Sequence, residues 1–174
     1  MHNHIAVGLS EIKTAGGKDD VLVAYSLGSC VGLAVWDPVK KIGGLAHIVL
    51  PSSEGSLAVS GLTSRRAAPE AGASPGKYAD TAVPMLASLM KDAGCDISRL
   101  KGYLAGGAHV LRSLSWPAGD IGAANARAAQ EAAWKQGITI LKTDIGENFG
   151  RTMRLYVADG RVTISSVGRE ERDM

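Results

Sequence analysis

Residues 26–51 read SLGSCVGLAVWDPVKKIGGLAHIVLP, and this stretch decides the fold that we expect for the chain. Its two apolar runs, residues 31–36 and 42–50, predict strands, the first apolar enough to be buried on both faces. An Asp-Pro pair opens the turn between them. A further apolar run at residues 21–27 is typical of a strand because of its Val and Tyr residues. Three consecutive strands joined by short turns predict a meander.

A thiol and an imidazole lie at the edges of these runs. Cys30 follows Gly28 and Ser29 in a tight turn, and His47 comes 17 residues later in the last strand. A glycine before a nucleophile lets the backbone turn sharply, so that local amide N–H groups can point at a substrate oxygen. An imidazole on the neighbouring strand would accept the thiol proton, and a thiolate–imidazolium pair would lower the pKa of the thiol. The stretch therefore predicts nucleophilic thiol chemistry.

Both residues also have an ordinary structural interpretation. A single cysteine near a strand most often packs as a small buried hydrophobic residue, and a single histidine is most often structural. A metal site is disfavoured, because no pair among Cys30, Cys95, His47 and His109 has the short spacing of zinc ligands. From the residues alone, catalysis and packing both remain open.

The composition argues against several classes of function. The chain has 174 residues, which predicts one domain over residues 1–174, and 45% of them are hydrophobic. The net charge of +2 is too small to predict nucleic-acid binding, and the single Phe argues against a base-stacking surface. No signal peptide is recognisable, and no run approaches the roughly 20 apolar residues of a membrane span. We therefore expect a cytoplasmic protein with reduced cysteines and no direct insertion into the membrane.

The rest of the chain adds helices and a long loop. The apolar spacing within residues 77–94 and 121–137 predicts two helices. Residues 51–76 predict a long irregular segment, and the charged tail at residues 169–174 is expected to be disordered. Because the early strands come without crossover helices, the pattern favours an α+β domain over a doubly wound sheet.

Four segments, in order along the chain, resemble the CheD family, the chemoreceptor glutamine deamidases of bacterial and archaeal chemotaxis. They are LGSCVGLAVWDPVKKIGGLAHIVLP at residues 27–51, GKYADTAVPML at 76–86, IGAANARAA at 121–129 and DIGENFGR at 144–151. The joint occurrence of these motifs is specific, and the resemblance runs over most of the chain.

The resemblance implies a fold and a set of site residues. The fold is α+β, with layered β-sheets flanked by helices, similar to the catalytic domain of deamidating bacterial toxins. The catalytic cysteine of the family falls on Cys30 and its histidine on His47. The family often carries a Thr six residues before the cysteine as a third catalytic member, and that position is Ala24 here. Ser26, two residues along the same strand, is the nearest replacement, and a backbone carbonyl is the other group that would orient the imidazole.

The resemblance also implies an activity and partners. It predicts hydrolytic deamidation of glutamine side chains on methyl-accepting chemotaxis receptors, with Gly28 and Ser29 in the oxyanion turn and with no cofactor or metal. The alternative, motivated by Ala24, is a weakly active or inactive adaptor that binds receptors and a CheC-type phosphatase acting on phosphorylated CheY.

Overall fold

The computed structural model describes residues 1–53, 74–110 and 120–174. Most of the long irregular segment predicted at residues 51–76 therefore lies outside the described residues. Within the described part, the chain forms ten strands and two α-helices, in an α+β arrangement. The strands are β1 Asn3–Ala6, β2 Ile12–Ala15, β3 Asp20–Leu27, β4 Val31–Asp37, β5 Ile42–Ile48, β6 Lys101–Gly106, β7 Thr139–Ile145, β8 Arg151–Tyr156, β9 Val162–Ser166 and β10 Arg169–Asp173. The helices are α1 Ala79–Asp92 and α2 Ile121–Lys135, close to the predicted ranges.

The strands form two five-stranded sheets. The first has the order β1-β3-β8-β9-β10 and the second the order β2-β5-β4-β6-β7. One apolar core lies between the two sheets, and another lies between the second sheet and the two helices. The layers are thus helices, sheet and sheet, and the expectation of layered sheets with flanking helices is confirmed.

Strand β4 is the centre of this packing and is buried along its whole length. Because side chains alternate along a strand, Leu33 and Val35 pack toward the helices, whereas Ala34 and Trp36 pack toward the first sheet. The prediction that this run is buried on both faces is confirmed.

The predicted meander is only half right. Strands β4 and β5 do pair as antiparallel neighbours, but β3 belongs to the other sheet. The pairing of β3 with β8 is irregular between Ala24 and Leu27, and Ser26 adopts a positive φ of 56°. That local conformation ends the regular strand. The Gly-Ser-Cys turn therefore carries the chain from one sheet to the other.

The charged tail forms a strand, and the expectation of a disordered tail is wrong in the structure. Strand β10 pairs antiparallel with β9 at the edge of the first sheet. Its charges have partners: Glu171 accepts hydrogen bonds from the hydroxyls of Thr163 (2.5 Å) and Tyr156 (3.3 Å) and lies 3.3 Å from Arg154. Charged side chains are common on edge strands, where they oppose pairing with other chains. A run of charges therefore does not by itself exclude a strand.

Candidate active site

The two candidate catalytic residues lie on one face of the β4–β5 pair. Gly32 is the cross-strand partner of His47, and Cys30 comes two residues before Gly32, directly before β4 begins. Side chains two residues apart share a face, and the Cys30 side chain packs against the core between the sheets. The prediction that the turn and His47 lie on neighbouring elements is confirmed.

Cys30 is a half-buried free thiol. Burial raises the pKa of this thiol, because the charged thiolate is poorly solvated there. The direction is opposite to the one that a thiolate–imidazolium pair would give. The free protein therefore holds Cys30 chiefly as the neutral thiol at physiological pH.

His47 is held in one tautomer by a backbone carbonyl. Its side chain is buried, and its Nδ1 lies 3.2 Å from the carbonyl oxygen of Val7. A carbonyl only accepts hydrogen bonds, so Nδ1 carries the proton and Nε2 carries the lone pair. Nε2 has no hydrogen-bond partner in the described part of the chain. His47 therefore presents a free basic nitrogen.

The pKa of His47 is lowered by burial, although the Val7 carbonyl and the charge of Glu11 act in the opposite direction. A neutral imidazole on the same face as a neutral thiol is in the protonation state that a general base needs. The structure brings the two side chains to one face but does not join them by a hydrogen bond.

Ser26 is turned away from the strand face that holds Ala24. Past the irregularity in β3, Leu27 packs into the core between the sheets together with Ala24, and Ser26 is exposed. Ser26 instead lines a cavity of about 460 Å³ that includes Gly28 and Phe149. Ser26 and Ala24 therefore do not share a face, contrary to the sequence-based expectation. The orienting contact to His47 Nδ1 comes from the carbonyl of Val7.

The turn that carries Cys30 is fixed by the segment after β6. The amide of Gly107 donates to the carbonyl of Cys30, and the amide of Ala108 donates to the carbonyl of Gly28, both at 2.8 Å. Gly106 has a positive φ of 107°, and a Cβ there would overlap the carbonyl oxygen of Cys30. The chain therefore needs glycine at position 106 for this close approach. The Gly-Gly pair was the available signal in the sequence, but its contact with the turn was not predictable.

The turn leaves amide groups available for a substrate. Within the described residues, the amide N–H groups of Ser29 and Cys30 form no backbone hydrogen bonds. The carbonyls of Gly28, Ser29 and Cys30 already accept hydrogen bonds, so the groups of the turn that remain for a substrate are donors and not acceptors. Amides at a nucleophile are suited to stabilise a developing oxyanion.

Asn125 of α2 contacts the candidate site, although the sequence analysis did not single it out. Its side chain is fully buried, and its amide nitrogen donates to the carbonyls of Ser29 (2.8 Å) and Val49 (2.9 Å). One acceptor lies directly before Cys30, and the other lies two residues after His47. Asparagine is a weak helix former, and its presence in the middle of α2 was the available signal.

The loop beside the turn is built around a buried arginine. Arg151 lies 2.7 Å from the carboxylate of Asp144 and donates to the carbonyls of Gly146 (2.9 Å) and Phe149 (3.1 Å). The carbonyl of Glu147 in this loop accepts from the amide of His109. This segment, DIGENFGR, is therefore a scaffold for one wall of the site.

The four residues weighed as zinc ligands do not come together. Cys95 lies close to Asp37, and Nδ1 of His109 lies 3.2 Å from a carboxylate oxygen of Asp120. Across residues 1–53, 74–110 and 120–174, no group of three or more His, Cys, Asp or Glu residues is arranged to hold a metal ion. Cys95 and His109 therefore have different neighbours from Cys30 and His47 and are not part of the same site.

Comparison with known proteins identifies the family. The family described as CheD chemotactic sensory transduction matches residues 62–166. A protein of Symbiobacterium thermophilum named probable chemoreceptor glutamine deamidase CheD is 45% identical over 97% of this chain and 96% of its own length. The chain belongs to the CheD family. A CheD protein of the same name from Desulforamulus reducens is 38% identical over 94% of this chain and 91% of its own length.

The similarity to the CheD relatives extends over the segment that holds Cys30 and His47, because their matches span nearly the whole chain. The solved structure of the Bacillus licheniformis hypothetical protein YfiH is similar at a TM-score of 0.42 and 13% identity, over 76% of this chain and 49% of that chain. This likeness is too distant to support an argument. In the described part of the CheD chain, no helix has the length and apolar character needed to span a membrane.

Proposed function

We propose that this protein deamidates glutamine side chains of chemotaxis receptors through a Cys30–His47 thiol mechanism. Family membership and the names of the full-length relatives support the activity. The observation that carries the mechanism is the placement of Cys30 on the same strand-pair face as His47, whose Nε2 is buried and unpartnered in the described structure. A free basic nitrogen near a thiol is the arrangement that general-base activation of a nucleophile needs.

Attack on the glutamine carboxamide begins with two neutral groups. Nε2 of His47 takes the thiol proton while the sulfur of Cys30 forms a bond to the carboxamide carbon. Because burial disfavours both the thiolate and the imidazolium, proton transfer accompanies attack and does not precede it. The amides of Ser29 and Cys30 donate to the oxygen that becomes negative.

The second half of the reaction regenerates the thiol. The imidazolium gives its proton to the leaving nitrogen, ammonia departs, and a thioester remains on Cys30. Neutral His47 then takes a proton from water as the water oxygen attacks the thioester carbon. Collapse of that intermediate breaks the carbon–sulfur bond and returns the proton to sulfur. Glutamine and water are converted to glutamate and ammonia, and none of these steps requires a metal or another cofactor.

The substrate class places the reaction on the cytoplasmic part of methyl-accepting receptors, and we assign this protein to the cytoplasm on that basis. Each conversion adds a negative charge to a receptor helix, where like charges along one face are destabilising. The new carboxylate also provides a site for methylation.

The test is ammonia release from a purified receptor fragment, followed together with its intact mass. We expect both signals with the wild type, no signal with Cys30→Ala, and an unchanged signal with Cys95→Ala, the matched control at the other free cysteine. His47→Gln is expected to lower kcat by about 10²- to 10⁴-fold, the usual contribution of a general base. Ammonia release by Cys30→Ala at the wild-type rate would disprove the thiol mechanism.

A second role is favoured by one observation. Ala24 is fully buried and has no hydroxyl, so the third catalytic member often present in the family is missing. We propose as the alternative an adaptor that binds a CheC-type phosphatase and receptors with little or no catalysis. A tight complex with such a phosphatase, combined with no measurable deamidation of several receptor fragments, would support this role over the enzyme.

A further inference from the structure

We propose that Asn125 is a positioning residue that sets the relative placement of the Cys30 turn and the His47 strand. The proposal rests on the proposed function, because it assigns Asn125 to the same thiol mechanism. The argument starts from where the β4–β5 ladder ends.

The last pair of that ladder is Val31 with Ile48. One step beyond it, Cys30 and Val49 would face each other, but the chain leaves strand β4 there and no ladder hydrogen bond joins the two segments. The amide nitrogen of Asn125 donates to Ser29 on one side and to Val49 on the other, at 2.8 and 2.9 Å. The Asn125 side chain thus joins the two segments next to Cys30, where the ladder does not join them.

The two acceptors fix the orientation of the Asn125 amide. Both are carbonyl oxygens, so the NH₂ group must face them and both of its donors are used. The side-chain oxygen Oδ1 is buried and has no partner among the described residues. An unsatisfied buried oxygen is costly, and at position 125 an apolar residue would avoid that cost. The two hydrogen bonds that the Asn125 nitrogen donates offset that cost.

The unpartnered atoms cluster at this site. In the described part of the chain, the buried side-chain atoms without a partner are Nε2 of His47, Oδ1 of Asn125 and Nε of Arg99. Two of the three belong to residues that flank Cys30. Polar groups left unpaired in a folded protein are often functional. The positions of these two atoms indicate that Asn125 does more than fill space between α2 and the sheet.

Removal of the amide is expected to affect turnover more than binding. With Asn125→Ala, the carbonyls of Ser29 and Val49 lose their donor, and the turn is free to shift relative to His47. A misplacement of about 1 Å lowers turnover by about 100-fold. We therefore expect Asn125→Ala to lower kcat by about that factor, with KM for the receptor fragment nearly unchanged.

Asn125→Asp gives the sharper readout, because it keeps the shape and removes the donors. Its ionised form places negative charge against two carbonyl oxygens, whereas its protonated form can donate one hydrogen bond again. Burial favours the protonated form. We expect the kcat of Asn125→Asp, relative to wild type, to rise as the pH falls from roughly 8 to roughly 5. The introduced carboxyl should take up its proton in this range because burial raises carboxyl pKa values. The ratio for Asn125→Ala should stay flat over the same range.

The matched control is Leu86→Ala in α1. Leu86 is fully buried in the helix-side core, where its side chain lies beside Gly44 of β5. It is expected to lower the Tm and to leave kcat unchanged well below that temperature. If Asn125→Ala behaves like Leu86→Ala and the Asn125→Asp ratio does not change with pH, the role of Asn125 is only structural and the proposal is wrong.

A receptor-independent measurement separates failure of this proposal from failure of the proposed function. The full-length protein is treated with iodoacetamide, and modification of the Cys30 peptide is followed by mass spectrometry. Release of the turn should make Cys30 react at least several-fold faster in both Asn125 variants than in wild type or Leu86→Ala. If the wild type does not deamidate the receptor fragment but the alkylation rates still differ in this way, the proposed enzymatic function is rejected and the positioning role is kept. Equal alkylation rates in all variants would reject the positioning role. If Asn125→Ala does not fold, the alkylation rate and the pH profile of Asn125→Asp decide the question.

Discussion

At Gly106, the missing side chain leaves room for the backbone of the nucleophile. A Cβ at this position would overlap the carbonyl oxygen of Cys30, and the positive φ is unfavourable for other residues. We predict that Gly106→Ala displaces the Cys30 turn and abolishes ammonia release. It should also lower the free energy of unfolding by about 2–4 kcal/mol, the range for overpacking combined with backbone strain. Urea denaturation and the receptor-fragment assay measure the two effects.

Gly168→Ala is the matched control for that substitution. Gly168 also has a positive φ, 71°, but nothing lies within 4 Å of a Cβ built there. Gly168→Ala introduces the backbone strain without the overlap, and it should lower the free energy of unfolding by about 1–2 kcal/mol. Ammonia release should be retained. If the two alanine variants lose the same stability and both stay active, the close approach to Cys30 has no importance for the site.

The resting protonation state of Cys30 gives a second prediction at this scale. Burial raises the pKa of the thiol above its ordinary 9.0, so alkylation of Cys30 in the free protein should be slow at neutral pH. The rate should keep rising with pH beyond 9.0, because only the thiolate reacts. Peptide-resolved alkylation measures this profile. A plateau of fast reaction near neutral pH would instead indicate a preformed thiolate–imidazolium pair.

The sequence could predict that Cys30 and His47 lie on neighbouring elements, because both lie in one short stretch whose last two strands pair with each other. It could not predict Asn125, because the contact with Ser29 joins residues 96 positions apart through the packing of a helix on a sheet. It was wrong about Ser26, because a positive φ at a single residue changed which side chains face the core. Periodicity assumes regular backbone, and functional turns are where that assumption fails.

At the scale of elements, the Asp-Pro turn after β4 depends on a buried carboxylate. Asp37 is fully buried and accepts hydrogen bonds from the amides of Val39, Lys40 and Asp96 and from the guanidinium of Arg99 at 2.9 Å. Burial raises its pKa, but these donors outweigh burial and lower it to about 2. One carboxylate therefore joins the β4–β5 turn to the segment that follows α1.

The corresponding prediction is a pH-dependent loss of stability in Asp37→Asn. Because the pKa of Asp37 is lower in the folded chain than its ordinary 3.8, the carboxylate stabilises the fold above pH 3.8, and this contribution disappears as the pH falls through about 2. Asp37→Asn should cost roughly 2 kcal/mol near neutral pH. The difference from wild type should shrink toward pH 2 in urea denaturation. The exposed Asp92→Asn is the control, and an equal effect of both changes would contradict the assignment.

Strand β10 gives the other element-scale prediction. The strand connects the two sheets at one edge, because Arg172 contacts Asp144 and the carbonyl of Met174 accepts from Lys142 at 2.7 Å. We predict that truncation after Gly168 lowers stability by about 1–3 kcal/mol, through lost strand pairing and charge-assisted hydrogen bonds. A truncated chain as stable as the full chain in urea would support a tail without structural importance.

Regular elements were predictable where one physical signal dominates. The apolar spacing of α1 and α2 and the continuous apolar character of β4 each reflect burial, which acts along the whole element. Membership of a sheet was not predictable in the same way, because β3 and β4 are both apolar and only the turn between them decides whether they pair. The charged strand β10 was missed because its stabilisation comes from partners on β8 and β9 and not from its own hydrophobicity.

At the scale of the whole molecule, the site lies at the end of a strand pair that contributes to both cores. Strand β4 packs on the helices with one face and on the other sheet with its second face. Cys30 and His47 face the core between the sheets, so the proposed mechanism uses groups whose charged forms are disfavoured by burial. The position of the site within the layers therefore accounts for a neutral thiol and a neutral imidazole in the free protein.

That position also couples global stability to the protonation of His47. Burial lowers the pKa of His47 below its ordinary 6.5. Above pH 6.5 the folded and unfolded chains both hold the neutral imidazole, so the group adds no pH dependence there. As the pH falls below 6.5, the unfolded chain binds a proton that the folded chain does not, and the folded state loses up to about 1.4 kcal/mol per pH unit from this group. Other groups contribute to the total slope, so the difference between variants is the informative quantity.

We predict that His47→Gln removes this contribution. Urea denaturation of both proteins at a series of pH values between roughly 7.5 and 5 should show a steeper loss of stability in the wild type, because only its buried imidazole must stay neutral. His4→Gln, at an exposed position on β1, is the matched control and should keep the wild-type slope. Parallel pH dependence of wild type and His47→Gln would mean that His47 takes up its proton as readily when folded as when unfolded. The inference that burial lowers the pKa of His47 in the folded chain would then be wrong.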